Sequence, residues 1–349
     1  MTIINAIDNA PEVLEVIRKL LQTVDMPLND QIDVLKFFKE FLTIAKTVTL
    51  RKSLQIHQPS VINDFMKFIT RVLNNKSSEV KQKIDSESGV ICESFNDEDK
   101  MKESKLLAIG LFTNFIQHDP SQIRNYLIQN DLRHEHRNLL STVIDMFTDS
   151  NCSPVRWQLI SALKILLDTF NPPIGMISGG NPQLNPELLN QALAQKTGED
   201  FLNYFYPEYA SRLLRPLIDF DKTVFNLSTE NSFFFKEKLS EANGEILFHV
   251  GELLCNFINQ HKYRIKYLVL RNLILQNALL LFKCREKHLQ LTGLRIFRAT
   301  LAVGDEFYFR FFIQHRSFSS LFALYEASGG VKCDNLVTSA ILEIFEFIR

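Results

Sequence analysis

Two apolar patterns recur at nearly constant intervals in the last third of this chain. The tetrapeptide at 267–270 reappears in related form 44 residues later at 311–314, and the tetrapeptide at 294–297 reappears 48 residues later at 342–345. The additional residues of the second interval fall at the glycine pair 329–330. A unit of this size cannot form a core alone and must bury its apolar faces against its neighbours. The intervals therefore predict a repeat architecture.

The spacing of apolar residues inside each unit is three and four, which is the period of an α-helix. Segments 126–129 and 163–166 repeat the two patterns upstream, in the same order. A unit of about 40–47 residues with two or three helices has the size of a HEAT or armadillo repeat. We therefore predict an all-α, HEAT/armadillo-like helical repeat solenoid over residues 1–349, as a single array. A short helix, a middle helix and a longer inner helix recur in it.

Glycine and proline are scarce, with 12 and 11 residues, which favours long helices. Two stretches interrupt the helical pattern. Residues 77–104 are acidic and poor in apolar side chains, so we expect a disordered insertion there. Residues 171–186 contain four prolines and three glycines and are predicted to form a loop. Elsewhere the pattern predicts helices over 11–24, 30–47, 59–75, 105–118, 120–130, 134–149, 154–170, 187–194, 200–220 and most of 238–349.

Charge and cysteine usage argue against several classes of protein. The formal net charge of −1 is unlike that of a general nucleic-acid binder. The five cysteines are far apart and lack CxxC spacing, which predicts reduced thiols in the cytosol or nucleus. The first twenty residues do not resemble a signal peptide, and no uncharged run approaches the roughly 18 residues of a membrane span. We expect neither a disulfide framework nor a membrane segment.

The sequence also lacks recognisable catalytic motifs. GxxxxGK[ST], GxGxxG, HExxH and GxSxG do not occur, nor do the GDxHG- or GNHE-like segments of a two-metal phosphatase. The His-Glu-His tripeptide at 134–136 cannot close on one metal ion if it is helical, because positions i and i+2 point about 200° apart. His249, Cys255 and His261 lie among leucines and phenylalanines and are typical of a core. We predict no catalytic residue, no metal site and no cofactor.

Three segments carry a resemblance to a known family. They are FINQHKYRIKYLVLRNLILQNALLLF at 257–282, LRIFRATLAVGDEFYFRFFIQ at 294–314 and NLVTSAILEIFEFIR at 335–349. Together they resemble the central SMEK domain of the phosphatase 4 regulatory subunit 3 family. Weaker similarity continues upstream in the same order across most of the chain. The segments 77–104 and 171–197 depart from the family's pattern.

The resemblance implies a non-catalytic regulatory and scaffold subunit. Such a subunit targets a PP2A-like serine/threonine protein phosphatase, of the phosphatase 4 type, to its substrates in the nucleus and cytoplasm, and these include DNA-damage checkpoint phosphoproteins. The implied partners are the phosphatase catalytic subunit, a second regulatory subunit and phosphoprotein substrates, whereas nucleic acid is not expected. Family members also carry an amino-terminal EVH1-like domain, so the chain is expected to be a fragment of a longer one.

Two other functions fit a helical repeat. An armadillo-type adaptor or transport protein would bind peptide cargo, but such proteins usually present regularly repeated Trp and Asn on their inner helices. This chain has one tryptophan and no regular asparagine ladder. An RNA-binding repeat would show base-contacting side chains that recur in each unit, and no such recurrence is found. Both functions are kept as alternatives to the regulatory subunit.

A basic band lies at 261–316, where eleven Lys or Arg residues stand against three Asp or Glu residues. Clustered arginines present forked donors, which suit an acidic partner protein, a phosphorylated segment or, third, nucleic acid. A solvated edge of the solenoid is the alternative. In the segment GDEFYFR at 304–310 the polar residues either cap and pack a helix or face a partner. The candidate partner-binding residues are Lys262, Arg264, Lys266, Arg295, Arg298, Asp305, Tyr308 and Arg310.

Two of these candidates have a competing structural role. The 48-residue interval aligns Arg295 with Glu343 and Arg298 with Glu346, on the inner helices of neighbouring units. Packed helices run about 8–10 Å apart, so long side chains can meet across the gap. The sequence therefore also predicts an inter-repeat ladder of ion pairs at these positions.

Overall fold

The computed structural model describes residues 10–23, 26–44, 58–74, 94–132, 138–149, 153–168, 186–224 and 232–349. Within these ranges the regular structure is helical and no strand occurs, which confirms the predicted all-α class. The chain divides into two compact units. The first comprises residues 1–146 with 154–202, and the second comprises 147–153 with 203–349.

The helices of the first half of the chain are α1 Ala10–Gln22, α2 Leu28–Ile44, α3 Pro59–Asn74, α4 Ser94–His118, α5 Pro120–Leu132, α6 Leu139–Thr148, α7 Ser153–Leu167 and α8 Pro186–Phe205. Helix α4 packs against α2, α3 and α5. Phe65 of α3 joins them, because its ring centroid lies 4.9 Å from those of both Phe38 of α2 and Phe115 of α4. All three rings are buried.

A buried arginine connects two helices of the first unit. Arg124 of α5 donates hydrogen bonds to the carbonyl oxygens of Ile165, Leu166 and Asp168, at 2.9, 2.8 and 2.6 Å. The last carbonyls of a helix have no partner within it, so the guanidinium satisfies the carboxyl end of α7. Burial lowers the pKa of Arg124, and the nearby Asp168 opposes that shift. This cation is therefore structural.

Two helices extend well beyond their predicted bounds. Helix α4 begins at Ser94 rather than 105, so the part of the predicted disordered insertion that the structure describes is helical. Ion pairs at i and i+4, such as Glu98 with Lys102 at 2.8 Å, stabilise this polar turn. Helix α8 runs unbroken through 195–199, where a gap was expected, because the buried Phe201 and Leu202 anchor it past Gly198. Residues 77–93 and 171–185 lie outside the described ranges.

The second unit is built from shorter helices. They are α9 Ser211–Leu213, α10 Arg215–Ile218, α11 Phe220–Val224, α12 Glu241–His261, α13 Tyr263–Arg271, α14 Ile274–Leu280, α15 Lys287–Val303, α16 Glu306–Gln314, α17 Ser317–Ala327 and α18 Leu336–Ile348. A π-helical turn at Tyr206–Ala210 precedes them, and its first-turn proline removes one backbone donor. Single turns of 3-10 helix follow α14 at Leu281–Lys283 and α17 at Gly330–Lys332.

Helices α13 to α18 form two successive three-helix repeats. The first repeat is α13, α14 and α15, and the second is α16, α17 and α18. In each, a first (short) and a second (middle) helix are followed by a longer third helix, as predicted. Leu273 and Arg316, at the junction between short and middle helix, both have left-handed backbones with φ of 55° and 49°. These two residues are 43 positions apart, not the predicted 44. The interval between equivalent positions of the short helices is therefore 43 residues, one fewer than the sequence pattern predicted.

The interval between the two long helices is larger. Leu289 of α15 and Val337 of α18 are both buried and are 48 positions apart, as predicted. The added residues lie in the loop between α17 and α18, which contains the glycine pair 329–330. Both glycines adopt positive φ there, which other residues rarely do. Insertion in this loop lengthens the second repeat without changing its helices.

Candidate functional site

The three long helices of the second unit, α12, α15 and α18, lie side by side, with α15 packed against both neighbours. A cavity of about 400 Å³ opens along α12 and α15, and we call it the inner-helix groove. Its lining residues are Phe248, Gly251, Glu252, Cys255, Asn259, Thr292, Arg295, Arg298, Ala299, Ala302 and Phe347. Two of the predicted basic residues, Arg295 and Arg298, therefore share one surface.

Small residues bring α12 and α15 close together at the floor of this groove. A Cβ atom added to Gly251 would lie 2.2 Å from Cγ2 of Thr292, which leaves no room for a side chain. The hydroxyl of Thr292 donates to the carbonyl oxygen of His288, one turn earlier in α15, at 2.8 Å. The close approach fixes the separation of the two helices and therefore the width of the groove.

Arg298 bridges two repeats. Its Nη1 lies 2.7 Å from Oε1 of Glu343 on α18. The predicted ladder joined Arg298 to Glu346 and Arg295 to Glu343, and it is wrong in register. The partner of Arg298 is three residues, or about one helical turn, earlier in α18 than the sequence interval predicted. The prediction that the two long helices lie side by side is confirmed.

Lys266 and Asp305 form a second contact between the repeats. The Lys266 ammonium lies 2.8 Å from Oδ2 of Asp305, and their side chains are only 13% and 24% exposed. Oδ1 of Asp305 accepts a hydrogen bond from the amide of Phe307 at 2.9 Å and so caps α16. Partial burial alone would raise the pKa of Asp305, but the hydrogen bonds from Lys266 and Phe307 outweigh it and lower this pKa. This geometry favours the capping and packing alternative for Asp305, whereas Lys266 is largely buried in the ion pair and does not lie on a solvated edge.

Exposed aromatic rings surround this ion pair. The Lys266 ammonium lies 4.5 Å from the ring centroid of Phe307 and 5.7 Å from that of Tyr267. Arg264 lies over the ring of Tyr263 at 5.5 Å. Tyr263, Tyr267 and Phe307 are 61%, 69% and 56% exposed, and we call these three residues the aromatic surface. Aromatic and arginine side chains are enriched at protein interfaces.

The aromatic surface was not among the predicted site residues. On α13 the buried residues are Ile265 and Val269, at i and i+4. Tyr263 and Tyr267 are also four residues apart, on the face that this buried pair leaves open. The helical period of α13 could therefore have identified them in the sequence. Phe307 lies on the next repeat, so its position beside Lys266 depends on tertiary packing.

Tyr308 is buried within the second unit. Its side chain is 1% exposed, and within the described ranges its hydroxyl has no hydrogen-bond partner. Burial raises the pKa of Tyr308 above its ordinary value. The alternation of aromatic residues in 307–309 places Tyr308 toward the core and leaves Phe307 and Phe309 exposed. The prediction of a partner-facing Tyr308 conflicts with this position, because the ring packs inside the repeat.

The remaining predicted residues are accessible. Lys262 is exposed at the junction of α12 and α13, where its backbone has φ 37° and ψ −100°. Nη2 of Arg264 donates to Oδ1 of Asn203 at 3.2 Å. Arg310 is exposed on α16 and donates to Oε1 of Glu306, one turn earlier, at 2.6 Å. These three cations border α13 and α16, whereas Arg295 and Arg298 lie on α15, so the basic band is divided between different helices.

The residues considered for metal binding take other roles on α12. Nδ1 of His261 lies 2.7 Å from the Tyr206 hydroxyl, and its ring stacks on Phe257. His249 is buried, with its ring nitrogens 3.8 Å from carboxylates of the same helix. Burial raises the pKa of Cys255 to about 12, although Arg295 opposes the shift. No cluster of three potential metal ligands occurs among the described residues. The tripeptide 134–136 lies outside the described ranges.

The length and hydropathy of the described helices can be compared with those of a membrane-spanning helix. Taken singly, none of them combines the length and the apolar character needed to cross a bilayer. The segments Tyr263–Arg271 and Ile274–Lys283 meet the criterion only as a pair, and the chain bends by 68° between them.

Comparison with known proteins places this chain in a family. The profile of phosphatase 4 regulatory subunit 3 matches residues 1–349. The serine/threonine-protein phosphatase 4 regulatory subunit 3 of Drosophila melanogaster is 30% identical over 251 residues, which cover 71% of this chain and 22% of the relative. Protein PPP4R3C1 of Mus musculus is 21% identical over 335 residues, or 94% of this chain and 35% of the relative. The chain thus spans between about a fifth and a third of these relatives, and it belongs to the phosphatase 4 regulatory subunit 3 family, whose members are regulatory rather than catalytic.

Proposed function

We propose that this chain is a scaffold region of a regulatory subunit that binds a PP2A-like serine/threonine phosphatase catalytic subunit. Membership of the phosphatase 4 regulatory subunit 3 family carries this proposal. Successive helical repeats support it, because they present side chains of adjacent units on one continuous surface, which suits a protein partner.

The aromatic surface is our candidate for the contact with the catalytic subunit. Tyr263, Tyr267 and Phe307 are large exposed rings, and the ion pair between Lys266 and Asp305 holds the short helices of both repeats in place beneath them. Rigid aromatic side chains contribute much of the binding energy at interfaces, because little conformational entropy is lost when they are buried. The accessible cations Lys262, Arg264 and Arg310 would form the rim of this contact.

We further propose that the complete complex contains a second regulatory subunit and acts on phosphoproteins, including DNA-damage checkpoint phosphoproteins, in the nucleus and cytoplasm. The family resemblance is the support for these finer assignments. Comparison of phosphoproteomes with and without the protein, before and after DNA damage, tests the substrates. Fluorescence imaging of the tagged full-length protein tests the localisation.

The central experiment is purification of the tagged full-length protein from cells, with phosphatase activity measured on a phosphopeptide in the eluate. We expect activity with the wild-type protein. A double variant, Tyr263→Ala with Tyr267→Ala, should reduce the recovered activity by about tenfold or more, since interface anchors contribute about 2 kcal/mol or more each. Phe322→Ala is the matched control, because Phe322 is a similarly exposed ring on α17 outside the aromatic surface.

The outcomes separate two claims. Absence of phosphatase activity from the wild-type eluate would reject the proposed function. Activity that survives in the double variant, while the protein folds normally by circular dichroism, would reject only the assignment to the aromatic surface. Activity lost equally in Phe322→Ala would indicate general destabilisation and would also reject that assignment.

A further inference from the structure

The inner-helix groove is lined by small and by long side chains. Gly251, Thr292, Ala299 and Ala302 are the small ones, whereas Arg295 and Phe347 are long. Its volume of about 400 Å³ falls in the range of roughly 300–1,000 Å³ that is typical of ligand sites. Because the close packing of Gly251 against Thr292 fixes the two helices, the groove exists before any partner binds.

The two arginines that line this groove differ in their partners. Arg298 is paired with Glu343. Arg295 is exposed, and among the described residues it has neither an ion pair nor a hydrogen bond. A guanidinium presents five donors in a rigid fork, so Arg295 can donate two parallel hydrogen bonds to a planar oxyanion. The Arg295 guanidinium is therefore the group in this groove that can bind such an anion.

Neighbouring charges restrict which anion fits. Glu252 also lines the groove, and Glu343 of α18 is paired with Arg298. The two arginines and two glutamates of this region sum to no net charge. For a doubly charged phosphate, the attraction to the arginines and the repulsion from the two carboxylates are both twice those of a singly charged carboxylate, so a region without net charge gives the second charge little gain. The cost of removing an anion from water, in contrast, rises roughly with the square of its charge. The charge pattern therefore favours a carboxylate.

An apolar surface adjoins this site. Phe347 of α18 lines the groove and is 51% exposed, and Ala299 and Ala302 extend the apolar floor. An apolar side chain of a partner that covers the Phe347 ring would remove apolar area from water on both sides. The groove thus offers one site for an acidic side chain and one for an apolar side chain.

From this arrangement we propose that the inner-helix groove binds a short extended segment of a partner protein that carries an Asp or Glu beside a Leu or Phe. Its carboxylate is received by Arg295, and its apolar side chain packs against Phe347. The proposal does not depend on phosphatase binding, because the groove lies on α12, α15 and α18, whereas the aromatic surface lies on α13 and α16.

The test is a peptide array probed with the purified full-length protein, followed by fluorescence anisotropy on the best binder. The array contains short Gly-Ser peptides with Asp or Glu next to Leu or Phe, and matched peptides in which Asn, Gln or phosphoserine replaces the acid. We expect the acidic peptides to bind and the amide peptides to bind at least about tenfold more weakly, which is a difference of about 1.4 kcal/mol.

Matched variants assign the binding to the groove. Arg295→Gln should weaken the best acidic peptide about tenfold or more, and Phe347→Ala should weaken it as well. Arg271→Gln removes the same charge from an exposed arginine of the same unit, outside the groove, and should leave binding unchanged. Equal effects of the two arginine variants would reduce the result to net charge and overturn the proposal.

Two further outcomes reject it. If no acidic peptide binds while the protein is folded, the groove is not a site for such a segment. If phosphoserine peptides bind much more tightly than their Glu counterparts, the groove recognises phosphate rather than carboxylate, contrary to the charge pattern described above.

Discussion

The two three-helix repeats of the second unit have the same order of helices, but equivalent positions are stabilised by different contacts. Their short helices begin at equivalent residues, Lys262 in the first repeat and Asp305 in the second. Asp305 caps its helix with a side-chain oxygen, whereas Lys262 provides no cap and has a backbone with φ 37°. The repeat plan therefore specifies where a helix begins, but it does not specify how well that start is stabilised.

The long helices show the same contrast. Gly293 of α15 and Ile341 of α18 occupy equivalent buried positions. A Cβ atom on Gly293 would lie 2.9 Å from the carbonyl oxygen of Ala278 and 3.0 Å from the ring of Phe282, so the backbones approach closely in the first repeat. In the second repeat the equivalent position carries Ile341, whose side chain is fully buried. The same helix order thus accommodates a glycine at this position in one repeat and a large apolar residue in the other.

Substitution at this shared position should give the largest effects. We expect Ile341→Ala to cost about 2–5 kcal/mol, because it leaves a cavity in a fully buried site. Gly293→Ala should cost about 1–3 kcal/mol through overpacking, although alanine is the better helix former. Hydrogen exchange of α15 and α18 amides measures both changes. A gain of protection in Gly293→Ala would show that the close approach is not rigid.

The cap of the second repeat should be next in size. Asp305→Ala should destabilise the protein by about 1–2 kcal/mol, since it removes both the cap and the partner of Lys266. Asp305→Asn keeps an oxygen that can cap α16 and should cost less. Urea unfolding followed by circular dichroism compares the two variants. Equal costs would mean that the ion pair, rather than the cap, stabilises this junction.

The same residue predicts a pH dependence. The pKa of Asp305 is lower in the folded protein than its ordinary value of about 3.9, so ionised Asp305 stabilises the fold above that pH. This contribution is lost as the pH falls through the folded pKa, because the unfolded chain then binds the proton first. Asp305→Asn should lose this part of the acid sensitivity, which a pH series of unfolding curves would detect.

Relief of strain at the start of the first repeat should produce a smaller, opposite effect. We expect Lys262→Gly to stabilise the protein by about 1 kcal/mol, because glycine adopts positive φ without steric cost. Lys262→Ala removes the same side chain but retains a Cβ atom, so it is the matched control and should give no gain. A glycine variant less stable than the alanine variant would argue against strain at this residue.

The ion pair between the repeats should contribute least. A double-mutant cycle on Arg298 and Glu343 should give a coupling of about 0.2–1 kcal/mol, the range for exposed pairs. A parallel cycle on Arg295 and Glu343, which the sequence interval had aligned, should give no coupling. Coupling in the second cycle instead of the first would restore the predicted ladder.

Local patterns in the sequence predicted the helices and the repeat well. The apolar spacing of α3, for example, predicted 59–75, and the helix is Pro59–Asn74. The site residues were harder to predict. Arg310 is accessible as expected, but Tyr308 is buried and Lys266 is engaged by Asp305, which is 39 residues away in the chain. Sequence proximity groups these charges, whereas only contacts between helices show which of them are engaged.

The sequence by itself determined that this chain is helical, that its helices recur as short, middle and long, and that the longer interval falls at the glycine pair 329–330. These properties follow from local periodicity and from turn residues, which act over a few positions. The tertiary structure decided that Arg298 meets Glu343, that Arg295 has no ion pair among the described residues, and that Phe307 lies beside Lys266. Such pairings depend on the rotation and axial displacement of packed helices, and close contacts such as Gly251 against Thr292 fix these relations between residues distant in the chain.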